Sequence, residues 1–184
     1  MKKTTTSNRS NKTTTVFFIV IFLPLIVTTA LTSITYLSLV TTPVFAEQQK
    51  FTAQLSGDQQ VPPIKTSASG MAWFKPMKDS VAFEVNVSDI QGVTLAHIHA
   101  GKQGEKGPPI VPLFKSDPIP GPITGVLAKG NFTADKFQGP MAGKPLSELI
   151  TAMQNGQTYV NIHTQKNPDG EIRGQIMMPN SATK

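Results

Sequence analysis

The chain has no cysteine. That removes disulfides, thiol nucleophiles, iron–sulfur clusters and cysteine-ligated blue-copper sites from consideration. A domain outside the cytoplasm without disulfides must be held by its hydrophobic core, with or without help from a metal. Histidine is almost as scarce. There are 3 in 184 residues, and all of them fall in two stretches, "TLAHIHAGKQGEKGPP" and "YVNIHTQKNPDGEIRG". Acidic residues are missing from the first 46 positions, which carry Lys2, Lys3, Arg9 and Lys12.

That acid-free segment continues into "VFFIVIFLPLIV" and ends at "TTPVFA". A basic start, an apolar run and small residues at Val44 and Ala46 fit a secretory signal peptide cut after Ala46. Residues 16–40 are also long enough for an N-terminal membrane anchor, at about 20 residues per crossing. Both readings place residues 47–184 outside the cytoplasm, secreted or at the cell surface. A membrane contact is expected only through the uncleaved segment. Four of the 17 Lys and Arg and none of the 11 Asp and Glu lie before residue 47, so the remainder carries a net charge of +2. Nucleic-acid binding needs a clustered basic stripe, and none is expected here.

Residues 47–184 read as one β-rich domain. "FTAQL" alternates, with Phe51, Ala53 and Leu55 on one side. In "SVAFEVNVSDI", Val81, Phe83, Val85 and Val87 share a face. "GMAWF", "TLAHIHA", "TYVNIHT" and "EIRGQIMM" are further strands bounded by Gly and Pro. Gly101 to Pro122 reads mostly as loop. "KPLSELITAMQNG" is the one helix, near residues 145–155, with Leu146, Leu149, Ile150 and Met153 on one stripe. The pattern predicts an all-β fold, an antiparallel Greek-key-like sandwich or barrel with one short helix.

In a strand, residues i and i+2 share a face. His97 and His99 therefore point together, away from Ile98. His163 shares a face with Asn161 and Tyr159, away from Val160 and Ile162. If the two strands are neighbours, three imidazoles converge, a ligand set suited to copper or zinc. The alternative is three hydrogen-bonding histidines with no metal. Asn161, Tyr159 and Arg173 are the expected surroundings of the site. "NPDG" predicts a tight turn over Asn167–Gly170, and Asp169, Glu171 and Arg173 are candidates for an ion pair.

"FTAQLSGDQQVPP", "ASGMAWF", "LAHIHAGKQGEKGPPIVPLF" and "LITAMQNGQTYVNIHTQKNPDGEIRGQI" resemble, in order, the CHRD domain, over about residues 50–178. That resemblance implies an exported β-rich domain. A looser likeness is to the copper/zinc superoxide dismutase fold, through "AHIHAG" and "VNIHT". It implies copper ligands at His97, His99 and His163, and an anion-guiding role for Arg173. The bridging histidine, the zinc site and the disulfide of those enzymes have no counterpart here.

Two functions follow as expectations. One is a mononuclear three-histidine copper site, with zinc as the alternative metal. It would serve copper binding or delivery, or redox chemistry on a small anion such as superoxide. The other is a metal-free structural, adhesive or protein-interaction module of the cell envelope.

Overall fold

The computed structural model describes residues 50–179. The leader predicted over residues 1–46 lies outside the described residues. No helix among the described residues is long and apolar enough to cross a membrane.

Eight strands and one α-helix follow along the chain. They are β1 (Phe51–Ser56), β2 (Ser69–Pro76), β3 (Val81–Gln91), β4 (Val93–Ala100), β5 (Pro109–Lys115), β6 (Pro122–Phe132), α1 (Leu146–Gln154), β7 (Thr158–Thr164) and β8 (Ile172–Gln175). The strands form one antiparallel sheet in the order β5-β4-β7-β8-β1-β2-β3-β6. The outermost strands, β5 and β6, come into contact, so the sheet curls into a nearly closed barrel. β3 and β4 are not sheet neighbours, nor are β6 and β7, which gives the crossing connections of a Greek-key-like fold. The predicted all-β class with one short helix is the observed one.

Alternation builds the interior. Phe51, Ala53 and Leu55 of β1, Ala72 and Phe74 of β2, Ile98 of β4 and Ile162 of β7 join one buried apolar cluster. A barrel closed this way has its interior filled by every second side chain. In β3 the alternation is interrupted after Val87. The register with β6 shifts between Val87 and Ile90, and Asp89 takes a positive φ of 54°. This bulge returns Ile90 to the core, where strict alternation would have turned it outward. In α1, Leu149 and Met153 are buried in the same cluster, and Gly156 closes the helix at a φ of 61°.

Two strands escape the sequence pattern. The stretch from Gly101 to Pro122, expected to be mostly loop, contains β5. Pro109 and Pro112 lie within it, and proline cannot donate to a ladder. β5 tolerates them because β4 is its one ladder partner. β6 carries no clear pattern either, because its side chains are largely exposed and its glycines and lysine mask the alternation.

The arrangement that matters for function is the pairing of β4 with β7. Although far apart in sequence, these strands are neighbours, with His97 opposite Asn161, His99 opposite Tyr159 and Leu95 opposite His163. Ala96, Ile98, Val160 and Ile162 fill the barrel interior. The histidine-bearing face points the other way.

Candidate functional site

The outward face of β4 and β7 is not open to solvent. His99 and His163 are only 7% and 8% exposed, and His97 is half-buried. Two loops run across it. The Gly101–Pro108 segment leaves β4, and the 165–171 turn leaves β7. Gly101 N–H donates to Gln157 O at 2.8 Å and Ala100 N–H to Pro108 O at 3.0 Å, which folds the first loop back over the strands. The second is the predicted tight turn, with Gly170 N–H donating to Asn167 O at 3.0 Å.

The structure brings the three histidines together. Ring centroids are 5.8 Å apart for His97–His99, 5.6 Å for His97–His163 and 5.6 Å for His99–His163. One nitrogen from each ring lies within 4.8 Å of one from each of the others.

Backbone carbonyls decide which nitrogens those are. His99 Nδ1 lies 2.8 Å from Gly107 O, and His163 Nδ1 lies 2.8 Å from Pro168 O. A carbonyl only accepts, so each Nδ1 carries the hydrogen and donates it. In the neutral ring Nε2 is then the lone-pair nitrogen. Both Nε2 atoms are buried and have no hydrogen-bond partner. An unsatisfied buried polar atom costs about 1–3 kcal/mol, and here two of them face a third imidazole.

The same burial keeps the rings neutral. His97 is lowered from 6.5 to about 4, by desolvation first and then by the nearby His163 and His99. His99 is also lowered to about 4, mainly by burial, against the opposing Gly107 hydrogen bond. His163 is lowered as well, with burial outweighing its bond to Pro168 O and the nearby Asp169. At neutral pH the cluster therefore presents lone pairs rather than charges.

The donor set fits a metal. Imidazole nitrogens bind zinc or copper at about 2.0–2.1 Å, so two ligands of one ion are at most about 4.2 Å apart. The three nitrogens, within 4.8 Å of one another, are near that limit. Carbonyl-anchored imidazoles with free Nε2 atoms are the arrangement that orients metal-binding histidines generally.

Asn161, Tyr159 and Arg173 surround the cluster, each with its own partners. Asn161 is buried and serves the backbone and its neighbours. Its Oδ1 accepts from Gln60 Nε2 at 2.8 Å, and its Nδ2 donates to Asp169 O at 3.0 Å. Gly170 must be glycine beside it, since a Cβ there would sit 2.3 Å from Asn161 Oδ1. Tyr159 stacks on His99 with centroids 5.1 Å apart, and its hydroxyl accepts from Gly107 N–H at 3.1 Å. The Arg173 guanidinium covers the Tyr159 ring at 3.6 Å and donates to Glu105 O at 2.9 Å. The candidate ion pair among Asp169, Glu171 and Arg173 does not form. Salt bridges among the described residues are Lys136–Asp135 and Lys144–Glu148. Glu171 is satisfied instead by Thr66, Thr164 and Asn167. Burial alone would raise its pKa, but those hydrogen bonds and Lys166 hold the carboxyl below its ordinary value.

Sequence reasoning missed Gly107 and Gln60. Gly107 sits in "GEKGPP", where the only signal was loop composition. Gln60 approaches from the β1–β2 connection, which no local pattern ties to β7.

A curled antiparallel barrel with a covered polar cluster on its outer face defines a small β-barrel module. The family model of the CHRD domain matches residues 51–176, and the chain belongs to that family. It is 28% identical over 147 residues to Chordin of Xenopus laevis, covering 75% of this chain and 14% of that protein. It is 28% identical over 137 residues to Chordin of Danio rerio, covering 73% of this chain and 14% of that protein. The chain thus spans about one seventh of the length of the curated relatives it matches. No solved structure matches the chain, so the looser likeness to the copper/zinc superoxide dismutase fold has no support.

Proposed function

We propose that this chain is an exported CHRD module whose task is to bind another protein at the cell surface. The observation that carries this is the match of most of the chain to a one-seventh segment of Chordin, as a single module of a larger protein would match. The surface offers an anchor for such a partner. Trp73, the only tryptophan, is 41% exposed on β2, between Thr52 of β1 and Glu84 of β3. Tryptophan contributes strongly to interface hot spots because it buries a large rigid surface. The test places a photocrosslinkable residue at Trp73 or at the exposed Lys144 of the full chain in its native envelope. A discrete adduct is expected from the Trp73 position, competed by unlabelled chain and absent from the Lys144 position. Identical or absent adducts at both positions overturn the reading.

A second reading is favoured by the paired unsatisfied Nε2 atoms. His97, His99 and His163 form a mononuclear metal site, with copper ahead of zinc because copper tops the affinity order for nitrogen ligands. Bound metal would use the two orphan lone pairs and stabilise the fold by mass action. The full chain, purified untagged in mild detergent, stripped with chelator and then loaded with Cu(II), is expected to retain one copper after dialysis. Its EPR spectrum should show nitrogen hyperfine structure. His97→Ala and His163→Ala should each abolish retention. Copper that is not held, or is held equally by both variants, sinks the metal site and leaves the module reading standing.

A further inference from the structure

Arg173 is the most unusual charged residue in the domain. It is 3% exposed, on β8, and among the described residues no carboxylate lies within ion-pair distance. Among the described residues its guanidinium has one hydrogen-bond acceptor, Glu105 O. Five N–H donors in a planar fork are thus left mostly unused. Burial lowers its pKa, with Tyr159 opposing, and guanidinium stays charged regardless. A largely covered cation without a counter-charge is costly, and its remaining nitrogens are not buried without a partner, so they open onto the space beside them.

The residue lines a cavity of about 170 Å³, with Asp58, Gln60, Gln103 and Gln175 also on its walls. Its volume is well below the ~300–1,000 Å³ of a drug-sized ligand site. The cavity therefore suits a ligand of only a few heavy atoms. Its one cationic wall group is Arg173; the amides of Gln60 and Gln175 already donate to Asn161 Oδ1 and to backbone carbonyls, so the donors facing a ligand are those of the Arg173 fork and Gln103. Asp58, at the exposed rim, is the one acidic group on the wall.

We infer that this cavity is a binding site for a small carboxylate, held by the Arg173 fork, which itself stacks on Tyr159. The carboxylate would accept from the unused guanidinium N–H groups, in the bidentate geometry that arginine and a planar carboxylate share. Arg173 is poised for this because Tyr159 supports it from behind at 3.6 Å and Glu105 O fixes one side. The site stands on its own geometry and needs neither a partner protein nor a metal.

The test is an acetate titration of the full chain in mild detergent, followed through the Arg173 side-chain N–H resonances, with acetamide as the uncharged isostere. Acetate should shift them saturably, with a Kd on the order of 1 mM, and acetamide should not. Arg173→Lys should weaken binding at least ~10-fold, through loss of the fork. Because that variant also touches the fold, two rim variants leave Arg173 in place. Asp58→Asn removes a nearby negative charge and should tighten binding roughly 2- to 5-fold. Gln103→Glu adds one and should weaken it by a similar factor. Equal responses to acetate and acetamide, or an affinity unmoved by both rim variants, overturn the proposal.

Discussion

Gly107→Ala is expected to destabilise the domain by about 3 kcal/mol and to lower Tm by roughly 10 °C. A Cβ on Gly107 would lie 1.6 Å from Ala100 O and 2.8 Å from the Ala100 carbonyl carbon. Both are backbone atoms at the end of β4, held in place by the Ala100 N–H bond to Pro108 O. They cannot rotate aside as a flexible side chain would, so the loop must lift. Lifting it removes the carbonyl that receives His99 Nδ1–H and the amide that donates to Tyr159. The loss of stability is thus coupled to the release of one histidine of the cluster. Thermal unfolding by circular dichroism reads the first effect, and the His99 ring N–H resonance reads the second. Gly104→Ala is the control. Gly104 has a positive φ of 82° but nothing within 4 Å of its added Cβ, so its cost is the backbone strain alone, about 1 kcal/mol. If Gly107→Ala melts like Gly104→Ala, the close approach of this loop to β4 is wrong.

Acidification is the second large effect. The metal-free domain should lose about 3–5 kcal/mol between pH 7 and pH 4. His97 and His99 are held near 4 in the folded chain, against about 6.5 when unfolded. Between those values the unfolded chain binds protons that the folded chain refuses. Stability therefore rises with pH in that window. It is complete above about 6.5, declines as pH falls, and levels off for the histidines below about 4. A tenfold difference in proton affinity between the two states is worth about 1.4 kcal/mol. The half-buried His97 is screened by solvent and contributes less than its lowered pKa alone suggests. Glu171 acts in the same direction at lower pH. Its lowered pKa gives stability that is present above the ordinary carboxylate range and is lost as pH drops through the folded value. Urea unfolding of chelator-treated chain at pH 7.0 and 4.0 measures the difference. His99→Gln should flatten the dependence. Equal stability at the two pH values would falsify the buried, neutral cluster.

Local pattern alone determined much of this protein. Alternation in "FTAQL" and "SVAFEVNVSDI" marked β1 and β3, because a half-buried strand must place its apolar side chains every second residue. The helix was legible from the spacing of Leu146, Leu149, Ile150 and Met153. The facing of the histidines was legible too, since i and i+2 share a side whatever the strand pairs with. β5 and β6 were hidden because an edge strand with prolines, and a strand whose side chains are largely exposed, carry no such signature.

What only the tertiary structure decided is which distant segments meet. Nothing local in "TLAHIHA" says that β4 lies beside β7, yet that pairing turns a pair and a single histidine into a cluster of three. The loop crossings are equally non-local. Gly107 O and Pro168 O select the histidine nitrogens, and the Gly101–Pro108 and 165–171 segments bury what the strands alone would leave in water. The same holds for Arg173. In sequence it sits two residues from Glu171 and invites an ion pair. In the fold, Glu171 lies just before β8 and is taken up by Thr66, Thr164 and Asn167, while Arg173 within β8 reaches Glu105 O and the Tyr159 ring. Side-chain direction is a property of the strand, but side-chain company is a property of the barrel's closure.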